Sequence, residues 1–169
     1  MKLSATIEDA APYLLSKREM QRIGRTAIEA SGKFWHYFYK RLHFQIEAFD
    51  RYGYQRRSSK WEAIKAKKHP EAGGRPLVFT GESERLALSS NRVDARAPTY
   101  DRYTATATVS APKLNFHSYA TTKTIMEERE GMQAKFAEVF AEGVTDAWKS
   151  HGLSAKKIEL GKAAFYNSR

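Results

Sequence analysis

Apolar residues recur at steps of three and four along the first third of the chain: Met20, Ile23, Ala27, Ala30, Phe34, Phe38, Leu42, Ile46 and, one step on, Phe49. That spacing follows one face of an α-helix and predicts a long amphipathic helix. Ser16 followed by Glu19 is a capping-box pair for its start, and Gly32 is the place for a break or bend. Pro12 interrupts any earlier helix, so residues 1–15 read as a short arm. The second half of the helix is aromatic on several sides, with Phe34, Trp35, Tyr37, Phe38, Tyr39 and Phe44. A helix apolar over so wide an arc needs more than one covering element, and a second subunit is one source of cover.

Gly53 reads as the residue that closes this helix. Ser58 or Ser59 is placed to cap a short helix, SKWEAIKAKK, with Trp61 and Ile64 on one face. The segment HPEAGGRP (69–76) is a loop by composition, and Leu77-Val78-Phe79 reads as a short apolar strand. Thr80-Gly81 then turns the chain into one or two helical turns over 82–88, capped by Thr80. RVDAR (92–96) alternates, and YTATATVS (103–110) alternates strictly, which predicts an antiparallel hairpin around residues 98–101. Residues 111–130 read as a long connection ending in acids. Met132, Phe136, Val139, Phe140, Val144 and Trp148 then mark a second helix ending near Gly152, and KIEL (157–160) is a candidate final strand. The expected fold class is α+β: a long N-terminal amphipathic helix and a C-terminal helix packed on a small antiparallel sheet. One domain over 16–152 lies between an arm, 1–15, and a tail, 153–169.

Charge changes this picture more than size does. The 169 residues carry 29 Lys and Arg against 19 Asp and Glu, a net charge of +10. Seven cations, Arg51, Arg56, Arg57, Lys60, Lys65, Lys67 and Lys68, stand against the single acid Glu62 between residues 51 and 69. Such density reads two ways, as a surface facing DNA or an acidic partner, or as a solvated face that keeps copies apart. The acids Glu127, Glu128 and Glu130 form a small cluster that is a third possibility, a match for the basic stretch of a neighbouring copy. Cysteine is absent, which excludes disulfides and cysteine-based metal or thiol chemistry. No apolar run approaches the roughly 20 residues that span a bilayer, and the start carries acids where a signal peptide is apolar. A soluble, cytosol-made protein with no membrane role is expected.

Motifs for catalysis are missing. There is no GxxxxGK[ST] phosphate loop and no GxSxG elbow. Among the histidines the best-spaced metal candidate is His43 with Glu47, and a surface helix pair is the simpler reading. Glu82 and Glu84 lie on a short polar turn and read as solvated. Neither an enzyme nor a cofactor is expected. RYGYQRRSSKW (51–61) interleaves Tyr52, Tyr54 and Trp61 with basic residues, a pattern that combines stacking with phosphate contact. Without a base-reading motif, any DNA contact would be sequence-nonspecific.

The run YQRRSSKWEAIKAKKHPEAGGRPLVFTGESERLAL (54–88) resembles the small head–tail completion proteins of tailed phages, the neck, tail-completion and virion-morphogenesis group. In that group a basic "W/Y-x-x-R-S" stretch and a Lys-rich segment precede "PLv-x-TG-x-L/R". The matching residues are Tyr54, Arg57, Ser58, Lys65, Lys67, Pro76, Leu77, Val78, Thr80 and Gly81. The resemblance implies a structural virion protein without catalytic residues, a homo-oligomeric ring at the head–tail junction in the virion, assembled in the host cytoplasm. It further implies portal or adaptor and tail-tube neighbours, with DNA passing through the lumen. The alternative from the residues alone is a basic, nonspecific DNA-binding module.

Overall fold

In the computed structural model, residues 2–6, 15–78, 80–89, 91–108 and 125–152 are described. The expected strand at 157–160, the tail, Phe79 and the connection 111–124 lie outside them. Helix α1 (Lys17–Phe34) starts on the capping box: Ser16 Oγ accepts from the Glu19 N–H at 3.2 Å, and the Glu19 carboxylate accepts from the Ser16 N–H at 2.8 Å. Its buried line is Met20, Ile23, Gly24, Ala27, Ile28, Ser31 and Gly32, the period expected of an amphipathic helix.

The regular helix does not continue to Phe49. Three residues beyond Gly32 it widens into a π-turn, Trp35–Tyr39, where the Lys40 N–H bonds back to the Trp35 carbonyl. It then tightens into a 3-10 turn, Lys40–Phe44, before the short α2 (Ala48–Tyr52). A π-turn and a 3-10 turn rotate successive residues by different amounts from an α-helix, so the heptad-like register slips. Trp35, His36, Lys40, His43 and Phe44 turn inward, while Phe38 and Ile46 of the expected apolar line are 43% and 50% exposed. Gly53 closes α2 in the left-handed region, φ 60°, a conformation that costs glycine nothing.

Helix α3 (Ser59–Lys68) is capped by Ser58, whose hydroxyl accepts from the Trp61 N–H at 3.4 Å. A 3-10 turn, Pro70–Ala72, follows, and Pro76-Leu77 is a turn with Val78 irregular after it, not the expected strand. Leu77 has φ 60°, which no extended strand accommodates. Thr80 Oγ accepts from the Glu82 N–H at 3.4 Å at the head of α4 (Glu82–Ser89).

The sheet has the order β1-β3-β2, built from β1 (Lys2–Thr6), β2 (Arg92–Arg96) and β3 (Arg102–Thr108). Strand β1 lies in the stretch expected to be an arm, and pairs antiparallel with β3 from Lys2 opposite Thr106 to Thr6 opposite Arg102. The five residues joining β2 to β3 permit only an antiparallel pair. On β3 the alternation holds: Tyr103, Ala105 and Ala107 are buried, and Thr104 and Thr106 are not. Helix α5 (Met126–Ser150) begins six residues before Met132, so the acids 127–130 are helical and not part of a loop.

The fold is α+β, and the described residues form two compact units: those within 33–93 with 107–108 and 125–131, and 2–6, 15–32, 94–106 and 132–152. In the second, Tyr103 is the hub. Its ring lies 5.9 Å from Phe136 and 6.2 Å from Phe140, and its hydroxyl donates to the Met20 carbonyl at 3.3 Å. Gly24 lets α1 approach, since a Cβ there would stand 1.9 Å from Tyr103 Cε1. The first unit is built on Ala48, Phe49, Tyr52 and Tyr54, with Leu42, Leu77 and Ile125 against them.

Candidate functional site

The first unit holds both features with chemistry in them, a buried polar cluster and a basic cleft. The cluster centres on Glu128, 1% exposed. Counting back in fours from Phe140 through Phe136 and Met132 places Glu128 on the buried line of α5, so an extended period would have revealed it. Its Oε1 accepts from the Tyr52 hydroxyl at 2.6 Å and faces His43 Nε2 at 3.5 Å, and its Oε2 accepts from Trp35 Nε1 at 3.2 Å. His43 stacks on Tyr52 with ring centroids 3.9 Å apart, and its Nδ1 lies 2.6 Å from the Tyr54 hydroxyl.

Burial alone would raise the Glu128 carboxyl. Hydrogen bonds from His43 and Tyr52, the His43 charge and the Trp35 N–H outweigh it and hold the group below the ordinary carboxylate range. The same burial, with the Glu128 bond and charge, pushes the Tyr52 hydroxyl well up. Carboxylate, imidazole and phenols thus pack against one another in the interior. The arrangement is built to hold shape.

This corrects two expectations. Glu128 is not free to meet a neighbouring copy, and Glu127 is engaged by Arg51 at 2.7 Å. His43 is not on a surface pair with Glu47, since His43 is buried and Glu47 exposed. Among the described residues, no group of three or more His, Asp or Glu lies close enough to hold a metal ion. His36, also buried, sets Nε2 against the Arg92 carbonyl at 3.1 Å, and burial lowers its pKa.

The seven basic residues divide by environment. Arg51 is spent on Glu127, and Lys65 is buried with Nζ donating to the Arg75 carbonyl at 2.5 Å. Burial lowers the Lys65 pKa foremost, with Arg57 and Arg75 adding to the effect against Glu62. Lys65 therefore faces the interior, where the sequence suggested a partner. Lys60, Lys67 and Lys68 are exposed on α3. Arg56 and Arg57 lie on the segment before α3, the first over the Phe49 ring at 4.6 Å and the second over the Trp61 ring at 5.4 Å.

These last two border a cleft of about 300 Å³ whose lining includes Tyr54, Trp61, Lys65, Pro76, Leu77 and Val78. Arg75, which the basic stretch did not include, lines it too, held by both oxygens of Glu84 at 2.9 and 3.1 Å. Sequence spacing could not find that pair, because the loop 69–76 brings it together. Of the motif residues, Tyr54, Arg57, Lys65, Pro76, Leu77 and Val78 share this cleft. Ser58, Thr80 and Gly81 instead set the helix ends beside it.

Comparison with family models, curated proteins and solved structures returns no match to this chain.

Proposed function

We propose that this chain is a structural subunit of the phage head–tail junction, a ring-forming neck or tail-completion protein that works by assembly and not by turnover. The observation that carries the reading is the gathering of the motif residues: positions spread over 54–78 converge on one basic cleft. Residues that supply helix caps, a turn and a cleft together present a surface. The first unit also offers apolar side chains to solvent. Tyr37 is 73% exposed, and its ring lies 5.0 Å from Phe38, which is 4.5 Å from Phe34. Exposed aromatic clusters of this kind mark contact faces in assemblies. The charged and aromatic constellation best suited to acid–base work, around Glu128, is sealed from solvent.

Closed rings use heterologous contacts, one patch against a different patch on the next copy. Size-exclusion chromatography with light scattering tests this directly, alone and with purified portal or tail complexes. Oligomers, or retention on those complexes, are expected, and Tyr37→Ser with Phe38→Ser weakens them. A strict monomer that ignores both complexes refutes the reading. The nonspecific DNA module rests on Lys60, Lys67 and Lys68, and predicts affinity falling steeply with salt.

A further inference from the structure

The cleft in the first unit has an unusual charge state inside its walls. The lining carries four cations and one acid, Glu62, and two of the cations are already engaged: Lys65 by the Arg75 carbonyl at 2.5 Å, and Arg75 by Glu84 at 2.9 Å. Arg56 and Arg57 have no carboxylate within ion-pair distance among the described residues, and both are exposed. Each guanidinium is instead steadied against a ring, Phe49 or Trp61. A planar guanidinium held in place loses less freedom when it takes up a carboxylate or phosphate bidentately. Beside them the lining turns apolar at Pro76, Leu77 and Val78. Leu77 is the one non-glycine residue with positive φ among the described residues, and such backbone persists where surrounding structure holds it, often at ligand clamps.

We propose that this cleft binds an acidic peptide segment of a partner protein. An Asp or Glu carboxylate of the segment sits between the Arg56 and Arg57 guanidinia, and a neighbouring aliphatic side chain lies against Pro76, Leu77 and Val78. The inference stands on the cleft's own chemistry and holds whatever assembly the chain joins. Nucleic acid fits less well. Base stacking needs an open ring face, yet Phe49 and Tyr54 are buried and Arg57 covers a face of Trp61. The cations best placed for backbone phosphates, Lys60, Lys67 and Lys68, are not in the lining.

The test is a titration of the ¹⁵N-labelled full chain with the blocked hexapeptide acetyl-Gly-Ser-Glu-Leu-Gly-Ser-amide, followed at the Trp61 indole and Val78 amide signals. Saturable shifts at both are expected. Arg56→Ser with Arg57→Ser weakens binding at least about tenfold, the scale of a charge-assisted bidentate contact. Arg57→Lys, which keeps the charge and loses the fork, weakens it several-fold. Lys60→Ser with Lys67→Ser changes it less than about twofold, as exposed charges outside a site do. Circular dichroism of each variant confirms the fold, and Arg57→Lys carries the test if the double variant does not fold. The proposal is overturned if the peptide with Gln for Glu binds equally, or if the lysine changes weaken binding as much as the arginine changes. It also fails without saturation by about 10 mM peptide, tenfold above a ~1 mM dissociation constant. A twelve-nucleotide oligothymidylate binding the same signals more tightly than the peptide would assign the cleft to single-stranded DNA instead.

Discussion

Replacing Glu128 by Gln removes one charge from the interior and almost no volume. The carboxylate accepts from Tyr52 on Oε1, which also faces His43 Nε2 at 3.5 Å, and from Trp35 on Oε2. An amide has one oxygen, so its NH₂ must face a donor whichever way it turns. Toward Trp35 it meets an N–H that has no lone pair. Toward Oε1 it forces Tyr52 or His43 to reverse roles. Hydrogen bonds to a charged group contribute about 1.5–3 kcal/mol and neutral ones about 0.5–1.5. Weakening the Tyr52 and Trp35 bonds by ~1 kcal/mol each gives a loss of about 2 kcal/mol, or a Tm lower by about 4–8 °C for a chain of this size.

The dependence on pH makes the test sharp. The folded carboxyl titrates below its ordinary value of 4.5. Its contribution is therefore fully present above about pH 4.5 and is lost as pH falls through the folded value. Urea unfolding by circular dichroism is the assay, at pH 7 and at steps down to pH 3. Glu128→Gln is expected to be less stable than wild type at pH 7, and the gap to narrow as pH falls below about 4.5 and the wild-type contribution is lost. Equal stability at pH 7, or a gap that stays constant to pH 3, refutes the account of Glu128 as an ionised, triply partnered carboxylate.

Other outcomes follow from the same packing. Gly24→Ala improves helix propensity by about 1 kcal/mol, but its Cβ would meet the Tyr103 ring at 1.9 Å. Net destabilisation of about 1–3 kcal/mol is expected in thermal unfolding, and a stabilised variant would mean that α1 does not lie against Tyr103. Lys40 is buried, with Nζ 3.4 Å from the Leu88 carbonyl, and burial lowers its pKa to about 8. Between about pH 8 and 10.5 the unfolded chain holds a proton that the folded one has released, so stability rises across that window. Lys40→Met should raise Tm at pH 7, by the equivalent of about 1 kcal/mol, with the gain shrinking toward pH 10. A lower Tm at pH 7 would show that the Leu88 bond outweighs the desolvation.

What the sequence determined by itself is local. The Ser16–Glu19 box, a cap at Ser58 or Ser59, the Gly53 closure and the alternation of β3 are each decided by residues within a few positions of one another, so the pattern alone places them to within a residue. The α+β class follows from their order. The tertiary structure decided which side of each element was buried once the winding changed. Nothing between residues 34 and 44 announces a π-turn followed by a 3-10 turn, because the aromatic run satisfies several registers equally. Packing selects the one that turns Trp35, His43 and Phe44 inward and leaves Phe38 exposed.

The same holds for the chemistry. The sequence shows seven cations in a row of nineteen residues, and all seven look alike. Only the folded chain separates Lys65, turned to a carbonyl inside, and Arg51, paired with Glu127, from Arg56 and Arg57 at the cleft. The period of α5 marks Glu128 as inward-facing, but its partners lie 76 to 93 residues away. Charge is a property of a residue, but its availability is set by desolvation and by partners distant in sequence. Those are fixed when the chain closes on itself, and no local spacing encodes them.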